Sequence, residues 1–368
     1  MSAAPPTGLT LRERADSYMS LLGPMMMILA IILVMLVLEP ARYFRVSNFD
    51  IILKEAALYM PMAMAMTLVI VTRGIDLSIG SVAALTAIIM GYMVKSWGYP
   101  WWLAVSAAIT LGALCGFING MVITRLKVPD LIGTLAMDLV YRGFCLIAVK
   151  GIVLSRFPDE IVAIGRGEIP GFLPLPVVIG LVTLGLGWFI YTRTHLGRYA
   201  QAIGSNPEAA ELTGVPVDTY RVYVYVLMGA MAGLAGVMLA GKLNAIQATS
   251  APFFNLHVIA AVVVGGTSLF GGRGSMLGSL AGVLLLSMMI NALVTLRIEF
   301  FWQSVASGVV IILSVAFYTW LQRKDRDGQG GLFATLATPE NRRMLRFVAI
   351  IALVLAAIFG LGQILPAA

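Results

Sequence analysis

The sequence predicts an all-α fold: a polytopic membrane bundle of about ten transmembrane helices, glycine-rich broken segments and an extra C-terminal helix. Three observations support this prediction. Of the 368 residues, 60% are hydrophobic and only 12% are charged, and the mean hydropathy is +0.92. An average soluble chain has about 25% charged residues, so this chain has too little charge for a water-exposed surface. Apolar runs recur along the whole chain, and in lipid helices satisfy their own backbone polar groups.

The candidate spans are apolar stretches close to the length of about 17–25 residues that crosses a bilayer. They lie near residues 21–38, 51–72, 77–95, 101–123, 131–149, 172–191, 220–240, 256–271, 275–296, 300–320 and 346–365. The run at 256–271 is short and glycine-rich, which is typical of a broken or re-entrant helix. The predicted divisions are a tail at 1–20, a transmembrane domain at 21–321, a polar linker at 322–345 and an extra hydrophobic helix at 346–368.

The distribution of charge predicts that the N-terminus is cytoplasmic. When the spans alternate from an inside N-terminus, more Lys and Arg residues fall on the cytoplasmic side than on the outer side. Trp97, Trp101 and Trp102 then cluster at the outer boundary, where tryptophan anchors a protein in the interface. We therefore expect a multi-pass protein of the bacterial inner membrane. The net charge of +7 is loop charge in this interpretation, and we expect no nucleic-acid partner.

Small residues at four-residue spacing predict close contacts between helices. The spacing occurs at Gly112, Gly116 and Gly120, at Gly229 and Gly233, and at Gly278 and Gly282. Glycines at this spacing let two helix backbones approach each other closely in a membrane. The pattern therefore indicates a multi-helix bundle and carries no information about a solute.

The sequence contains no recognisable enzyme or metal motif. Cys115 and Cys145 both lie in apolar runs, and the chain has two histidines, so we expect no disulfide framework and no metal site. Residues 236–243 nearly fit a phosphate-binding loop, but Leu243 stands where a magnesium-binding hydroxyl is required. H-E-x-x-H and G-x-S-x-G are both missing from the sequence. The chain is therefore predicted to be no enzyme and to hold no cofactor of its own.

The central polar loop at 192–220 is the most informative soluble stretch. Asn206 suits the N-cap of a helix, Pro207 suits its first position, and Gly214 suits the residue just past its end. This arrangement predicts a helix of about two turns, which is too short to be stable in water without a surface to pack on. That surface belongs either to this protein or to a partner.

Three blocks of sequence resemble the ribose-type permease subunits of ATP-binding-cassette (ABC) importers. They are Glu-Ala-Ala-x-x-x-Gly at 208–214 with the preceding stretch 194–206, Gly-Ile-Asp-Leu-Ser-Ile-Gly-Ser at 74–81, and the glycine-rich block at 259–272. Together with the order of the spans, the likeness covers about residues 20–320. The family's usual chain ends near the tenth span, so residues 328–368 are an extension whose role the resemblance does not explain.

The resemblance implies that the central loop couples the chain to ATPase subunits. The residues that match this loop are Gly197, Arg198, Gly204, Asn206, Pro207, Glu208, Ala209, Ala210 and Gly214. It also implies two cassette ATPases that hold ATP and magnesium, a periplasmic solute-binding protein, and a permease homodimer or heterodimer in membrane lipid. The implied solute is a sugar or sugar-like molecule such as a pentose, hexose or polyol. Nucleosides and branched-chain amino acids also remain open.

Polar residues in or beside the spans are the candidates for lining a translocation path. They are Asp76, Ser78, Asn119, Asp138, Arg142, Asn244, Thr267 and Ser268. Structural explanations are available for several of them. Asp76 suits a helix cap, and Asp138 and Arg142 lie four apart on one helix face, where they are expected to neutralise each other. The glycine-rich stretch at 265–278, which contains Thr267 and Ser268, is explained equally well as a tight reversal.

The alternative function is an ion-coupled secondary transporter of a small polar solute. Ionisable groups near the middle of the membrane are typical of that class, and Asp138 fits this pattern. A self-powered carrier, however, does not require a capped helix in a central loop. Transport that survives inactivation of a partner ATPase would favour the carrier.

Overall fold

The computed structural model describes residues 11–298 except residue 172, together with residues 305 and 308. Within these residues it is mostly helical. The helices are α1 Leu11–Leu38, α2 Pro40–Tyr43, α3 Val46–Val71, α4 Ile79–Lys95, α5 Trp101–Thr124, α6 Asp130–Val149, α7 Asp159–Arg166, α8 Leu175–Arg193, α9 His195–Ser205, α10 Pro207–Leu212, α11 Val217–Leu243, α12 Phe254–Val264 and α13 Met276–Thr295. Two short strands, β1 Leu154–Ser155 and β2 Ala245–Ile246, pair antiparallel.

The helices confirm the fold class of a polytopic membrane bundle. Six of those described, α3, α5, α6, α8, α11 and α13, are long and apolar enough to cross a membrane, and α4, α12 and part of α1 are shorter apolar helices. A helix stands at each of the first nine predicted spans. The predicted spans at 300–320 and 346–365 and the linker at 322–345 lie outside the described residues, so the total of about ten stays a prediction.

Helix α1 begins at Leu11, inside the predicted tail at 1–20. Residues 11–20 contain two arginines, a glutamate and an aspartate, which prevent this stretch from reading as a membrane span. Arginine and glutamate are nevertheless good helix formers, so the helix extends beyond the apolar part. Hydropathy therefore locates the span but not the start of the helix.

Helix α3 is the centre of the bundle. All its residues from 56 to 71 are buried, and it packs against α8, α11, α12 and α13. Four of these buried residues are methionines, whose unbranched side chains fill irregular gaps between helices. Helices α5, α6 and α8 instead leave most of their apolar surface exposed, as helices that face lipid do.

Glycines allow α5 and α11 to touch along their lengths. A side chain at Gly112 would overlap the carbonyl of Gly229, and one at Gly116 would overlap the carbonyl of Tyr225. The predicted close approach is therefore present, and it joins two helices that are distant in the sequence. Close glycine contacts also join α12 to α13, because a side chain at Gly282 would overlap the Ala261 carbonyl.

Replacing Gly116 with alanine is expected to destabilise the protein by about 1–3 kcal/mol, because the added methyl group has no space beside α11. Unfolding in detergent, followed by circular dichroism, measures this change. The matched control is Gly143→Ala in α6, where an added Cβ would meet no atom within 4 Å in the described part of the chain. Equal stability of the two variants would contradict the packing argument.

Two irregular connections meet inside the bundle. Residues 72–78 join α3 to α4, and residues 247–253 precede α12. The Asn255 side-chain amide, in the first turn of α12, donates a hydrogen bond to the Leu77 carbonyl at 3.0 Å. Of the run predicted at 256–271, residues up to Val264 belong to α12, and irregular residues at 265–275 then separate α12 from α13.

Candidate functional site

Helix α10 forms in the central loop where the sequence predicts it. The Asn206 side-chain oxygen accepts a hydrogen bond from the backbone nitrogen of Ala209 at 3.1 Å, as an N-cap does. Pro207 occupies the first helical position, where the missing N–H has no intrahelical partner to lose. These two residues fix where the helix begins.

The C-terminal end of α10 closes in a Schellman motif. Gly214 has a φ of 85°, and its nitrogen donates to the Glu211 carbonyl at 2.9 Å. The Val215 nitrogen donates to the Ala210 carbonyl at 3.1 Å. These bonds satisfy carbonyls that a helix end otherwise leaves free. Although it is only six residues long, α10 thus has both of its ends defined.

Most of the surface of α10 is exposed. Leu212 is 89% exposed, and Glu208, Ala209 and Glu211 are exposed beside it, whereas Ala210 is 5% exposed and packs inward. Sequence reasoning had included Glu208 and Ala209 but missed Leu212. The available signal was a large apolar residue at the end of an otherwise polar loop helix.

The other predicted coupling residues are divided between packing and surface positions. Gly197 and Gly204 are buried on α9, where a side chain would overlap the Tyr191 carbonyl and the Val71 carbonyl respectively. Arg198 is exposed on the same helix. The two glycines therefore seat the loop on the bundle, while Arg198 belongs to its outer surface.

Asp76, Ser78 and Asn119 come together in a buried cluster with Tyr141, which we call the polar cluster. Ser78 donates to one Asp76 carboxylate oxygen from its backbone nitrogen at 2.8 Å and from its hydroxyl at 2.7 Å. The Asn119 amide donates to the Ser78 hydroxyl at 2.8 Å and lies 3.4 Å from the second carboxylate oxygen. The Tyr141 hydroxyl lies 3.0 Å from the Asn119 side-chain oxygen.

The polar cluster is sealed from solvent. Each of its four residues is at most 3% exposed. Burying a carboxylate is costly unless hydrogen bonds compensate for its lost hydration, and Ser78 and Asn119 supply those donors to Asp76. The cluster ties the start of α4 to α5 and α6.

A second polar group, which sequence reasoning missed, lies beside the first and is called the Asp130 cluster here. Arg221 donates to both Asp130 carboxylate oxygens, at 2.5 and 2.6 Å, and the Tyr225 hydroxyl donates to one of them at 2.7 Å. Gly74 fits tightly against it, because an added Cβ would lie 2.8 Å from both Asp130 and Tyr225. The Asp130 cluster joins the starts of α6 and α11, next to the connection that holds Asp76.

The predicted ion pair between Asp138 and Arg142 is wrong. Arg142 instead donates to the carbonyls of Ala248 at 2.6 Å and Ser250 at 3.0 Å, in the connection that precedes α12. Within residues 11–298, no ion pair includes Asp138. Carbonyls of an irregular segment packed within a helical bundle need donors, and the guanidinium group of an arginine carries five N–H bonds that can supply them.

The remaining translocation candidates lie at the two ends of the bundle. Asn244 adopts a left-handed conformation just past α11, and its side-chain oxygen accepts from the Phe157 nitrogen at 2.8 Å. Thr267 and Ser268 lie between α12 and α13. The Ser268 hydroxyl accepts from the Phe270 nitrogen at 3.3 Å, whereas the buried Thr267 hydroxyl has no hydrogen-bond partner among the residues that the structure describes. The left-handed conformation of Asn244 at the C-terminal end of α11 shows that this residue terminates the helix.

Among the described residues, no hydrogen bond links the polar cluster to Arg142, Asn244 or the Thr267–Ser268 pair. The predicted candidates therefore do not form one hydrogen-bonded group in this conformation. Over the part of the chain that the structure describes, no group of three or more His, Cys, Asp or Glu residues is arranged to hold a metal ion. Helix α10 differs from these buried groups because it is exposed and both of its ends are fixed by capping interactions.

Comparison with known proteins gives consistent family and sequence matches. Residues 48–315 match the family described as the permease component of the branched-chain amino acid transport system. The chain is 36% identical over 286 residues to the ribose import permease of Haemophilus influenzae, which covers 77% of this chain and 88% of that protein. It is 34% identical over 293 residues to the fructose import permease of Rhizobium meliloti, covering 77% and 80%.

A third relative is the autoinducer 2 import system permease of Photorhabdus laumondii, which is 32% identical over 278 residues and covers 75% of this chain and 82% of that protein. No solved structure is significantly similar to the chain. The family match spans more than half of the sequence, and the relatives are aligned over more than two thirds of it. The chain therefore belongs to this permease family, and its resemblance to the permease subunits of ribose-type ABC importers is confirmed.

Proposed function

We propose that this chain is the membrane-spanning subunit of an importer that carries a sugar or sugar-like solute across the bacterial inner membrane. A separate ATPase binds the exposed face of α10 and supplies the energy, and the N-terminus is cytoplasmic. The relatives are named for ribose, fructose and autoinducer 2, and the first two are small polyhydroxylated sugars. The observation that carries the proposal is a doubly capped helix whose leucine is 89% exposed.

The exposed face of α10 has the properties of a docking surface. Burying a leucine side chain contributes about 1.5–3 kcal/mol, so Leu212 favours a partner that covers it. Glu208 and Glu211 are exposed beside it and suit cationic residues on that partner. Because the helix has fixed ends, a partner binds it without first ordering it, which lowers the cost of association.

The proposed assembly has three kinds of protein component. Two copies of this chain, or this chain and a related one, form the path within membrane lipid. Two cassette ATPases bind ATP with magnesium on the cytoplasmic side, and a periplasmic binding protein delivers the solute on the other. ATP binding moves the α10 helices and favours a second arrangement of the bundle, because the ATPase contacts differ between the two states. The sealed polar cluster is consistent with such a change, since no solute reaches it in this conformation.

Replacing Leu212 with aspartate is expected to weaken ATPase binding at least tenfold. Burial of a leucine side chain contributes about 1.5–3 kcal/mol, and a loss of about 1.4 kcal/mol in binding free energy lowers the affinity tenfold. Affinity is measured with the purified ATPase and the permease in nanodiscs. The control is Leu212→Met, which conserves volume and apolar character and should bind within about threefold of the original protein. Unchanged affinity of the aspartate variant would remove Leu212 from the docking surface.

The function as a whole is tested by uptake into proteoliposomes. The vesicles contain the permease, its ATPase and ATP, and the binding protein presents radiolabelled ribose or fructose from outside. Uptake should require ATP and should disappear when the ATPase carries an inactivating substitution. Uptake that continues with the inactive ATPase and follows an ion gradient would contradict the proposal and support the ion-coupled secondary transporter.

A further inference from the structure

Three segments meet directly beside α10, at a place that we call the α9 joint. The end of α3 contributes Val71 and Arg73, the end of α9 contributes Gly204 and Ser205, and the loop before α13 contributes Gly272. Arg73 donates to the Gly204 carbonyl at 2.7 Å and to the Ser205 carbonyl at 2.8 Å. The Gly272 nitrogen donates to the Val71 carbonyl at 2.9 Å.

Arg73 is the left-handed residue that ends α3. Its φ is 64°, its backbone nitrogen donates to the Ile70 carbonyl at 2.9 Å, and the Gly74 nitrogen donates to the Val69 carbonyl at 2.9 Å, which is the Schellman pattern of a helix C-terminus. The helix end therefore explains the backbone conformation, and the side chain of Arg73 makes a separate contact. The guanidinium group binds the last two carbonyls of α9, which a helix end leaves free and which attract a cation.

The three segments of the α9 joint are in close backbone contact, which leaves little space for one to move relative to the others. A side chain at Gly204 would overlap both the Val71 carbonyl and the Gly272 nitrogen. Gly271, with a φ of 81°, lies so close to the Arg73 side chain that a Cβ there would overlap it. Because α3 is buried throughout residues 56–71, a displacement of the joint reaches the centre of the bundle.

The connection between α10 and α9 is short, whereas the one toward α11 is loose. A single residue, Asn206, separates α9 from α10. On the other side, four residues separate α10 from α11, and an added Cβ at Gly214 would meet no atom of the described residues within 4 Å. Movement of α10 is therefore transmitted more directly through the α9 joint.

We infer that Arg73 is a positioning residue that transmits movement of α10 to the central helix α3. This inference rests on the proposed function, in which an ATPase moves α10. Within the described part of the chain, the Arg73 side chain hydrogen-bonds to the end of α9 and to no residue of α10. It fixes the end of α9 to the end of α3, so its role is to couple ATP hydrolysis to solute movement rather than to bind either partner.

The test compares Arg73→Gln with the original protein in proteoliposomes that contain the ATPase and the binding protein. Three quantities are measured: affinity for the ATPase, rate of ATP hydrolysis, and solute imported per ATP. We expect affinity within twofold, because α10 keeps its exposed residues, and at least a tenfold fall in solute per ATP. Arg73→Lys should recover part of this loss, since a lysine keeps the charge without the planar fork that reaches two carbonyls. The matched control is Arg125→Gln, an exposed arginine just past α5, which should leave all three quantities unchanged.

Two outcomes would overturn the inference. Solute per ATP within twofold of the original would show that the joint does not transmit movement. A parallel loss of ATPase affinity would show that Arg73 shapes the docking surface instead. If Arg73→Gln fails to insert, Gly204→Ala opens the joint with Arg73 intact, and the same criteria apply to it. Failure of the original protein to bind any cassette ATPase would contradict the proposed function, which is a distinguishable result.

Discussion

Replacing Gly214 with valine is expected to reduce solute uptake to less than a tenth of its original rate while the protein remains inserted in the membrane. Gly214 has a φ of 85°, which a β-branched residue adopts only with severe strain. Both hydrogen bonds of the Schellman motif depend on this conformation. Because α10 has six residues, losing its last turn displaces Leu212 and removes the docking surface. Deleting residues 206–214 should abolish uptake.

Two further variants distinguish the effect of backbone strain in general from the effect of strain at the end of α10. Gly98 also has a positive φ, 70°, with open space around it, and it lies in the connection from α4 to α5. Gly98→Val therefore introduces a similar strain at the opposite end of α4 from the α9 joint and should keep uptake within twofold. Gly214→Asn should retain most activity, because asparagine tolerates the left-handed conformation. Normal uptake by Gly214→Val would show that α10 has no coupling role.

The features that the sequence predicts correctly are those with local causes. Asn206, Pro207 and Gly214 define α10 within nine residues: Asn206 and Gly214 hydrogen-bond to neighbours in the chain, and Pro207 fixes the backbone of the first helical position. Likewise, glycine spacing predicts that Gly112 and Gly116 lie at a close helix contact. The spacing does not reveal that the partner is α11, because that choice depends on how the whole bundle packs.

The failures involve competition between distant groups. Helical spacing allows Asp138 to meet Arg142, but the arginine binds the carbonyl of Ala248, 106 residues away. No local pattern shows that this carbonyl lacks another donor. The Asp130–Arg221 pair spans 91 residues, and each member reads in the sequence as an ordinary charge beside a span. The exposure of Leu212 is equally a property of the assembled surface.

The Asp130 cluster predicts a strongly non-additive effect on stability. Arg221→Met should destabilise the protein by about 3 kcal/mol, because it leaves the carboxylate of Asp130 uncompensated in a largely buried site. Adding Asp130→Asn to this variant removes the unpaired charge and should recover at least about 1 kcal/mol. The free energy of unfolding, measured in mixed micelles for both single variants and the double variant, gives the interaction energy directly.

The exposed pair formed by Lys127 and Asp218 is a matched control for this cycle. Its N–O distance is 2.8 Å, close to that of the Asp130 pair, but its side chains are 71% and 47% exposed instead of 21% and 16%. Water already solvates these charges, so Lys127→Met should change stability by less than about 1 kcal/mol. Equal effects at the two pairs would mean that burial does not set the energy of the Asp130 cluster. A large difference would mean that burial makes the contact between α6 and α11 at the Asp130 cluster costly to break.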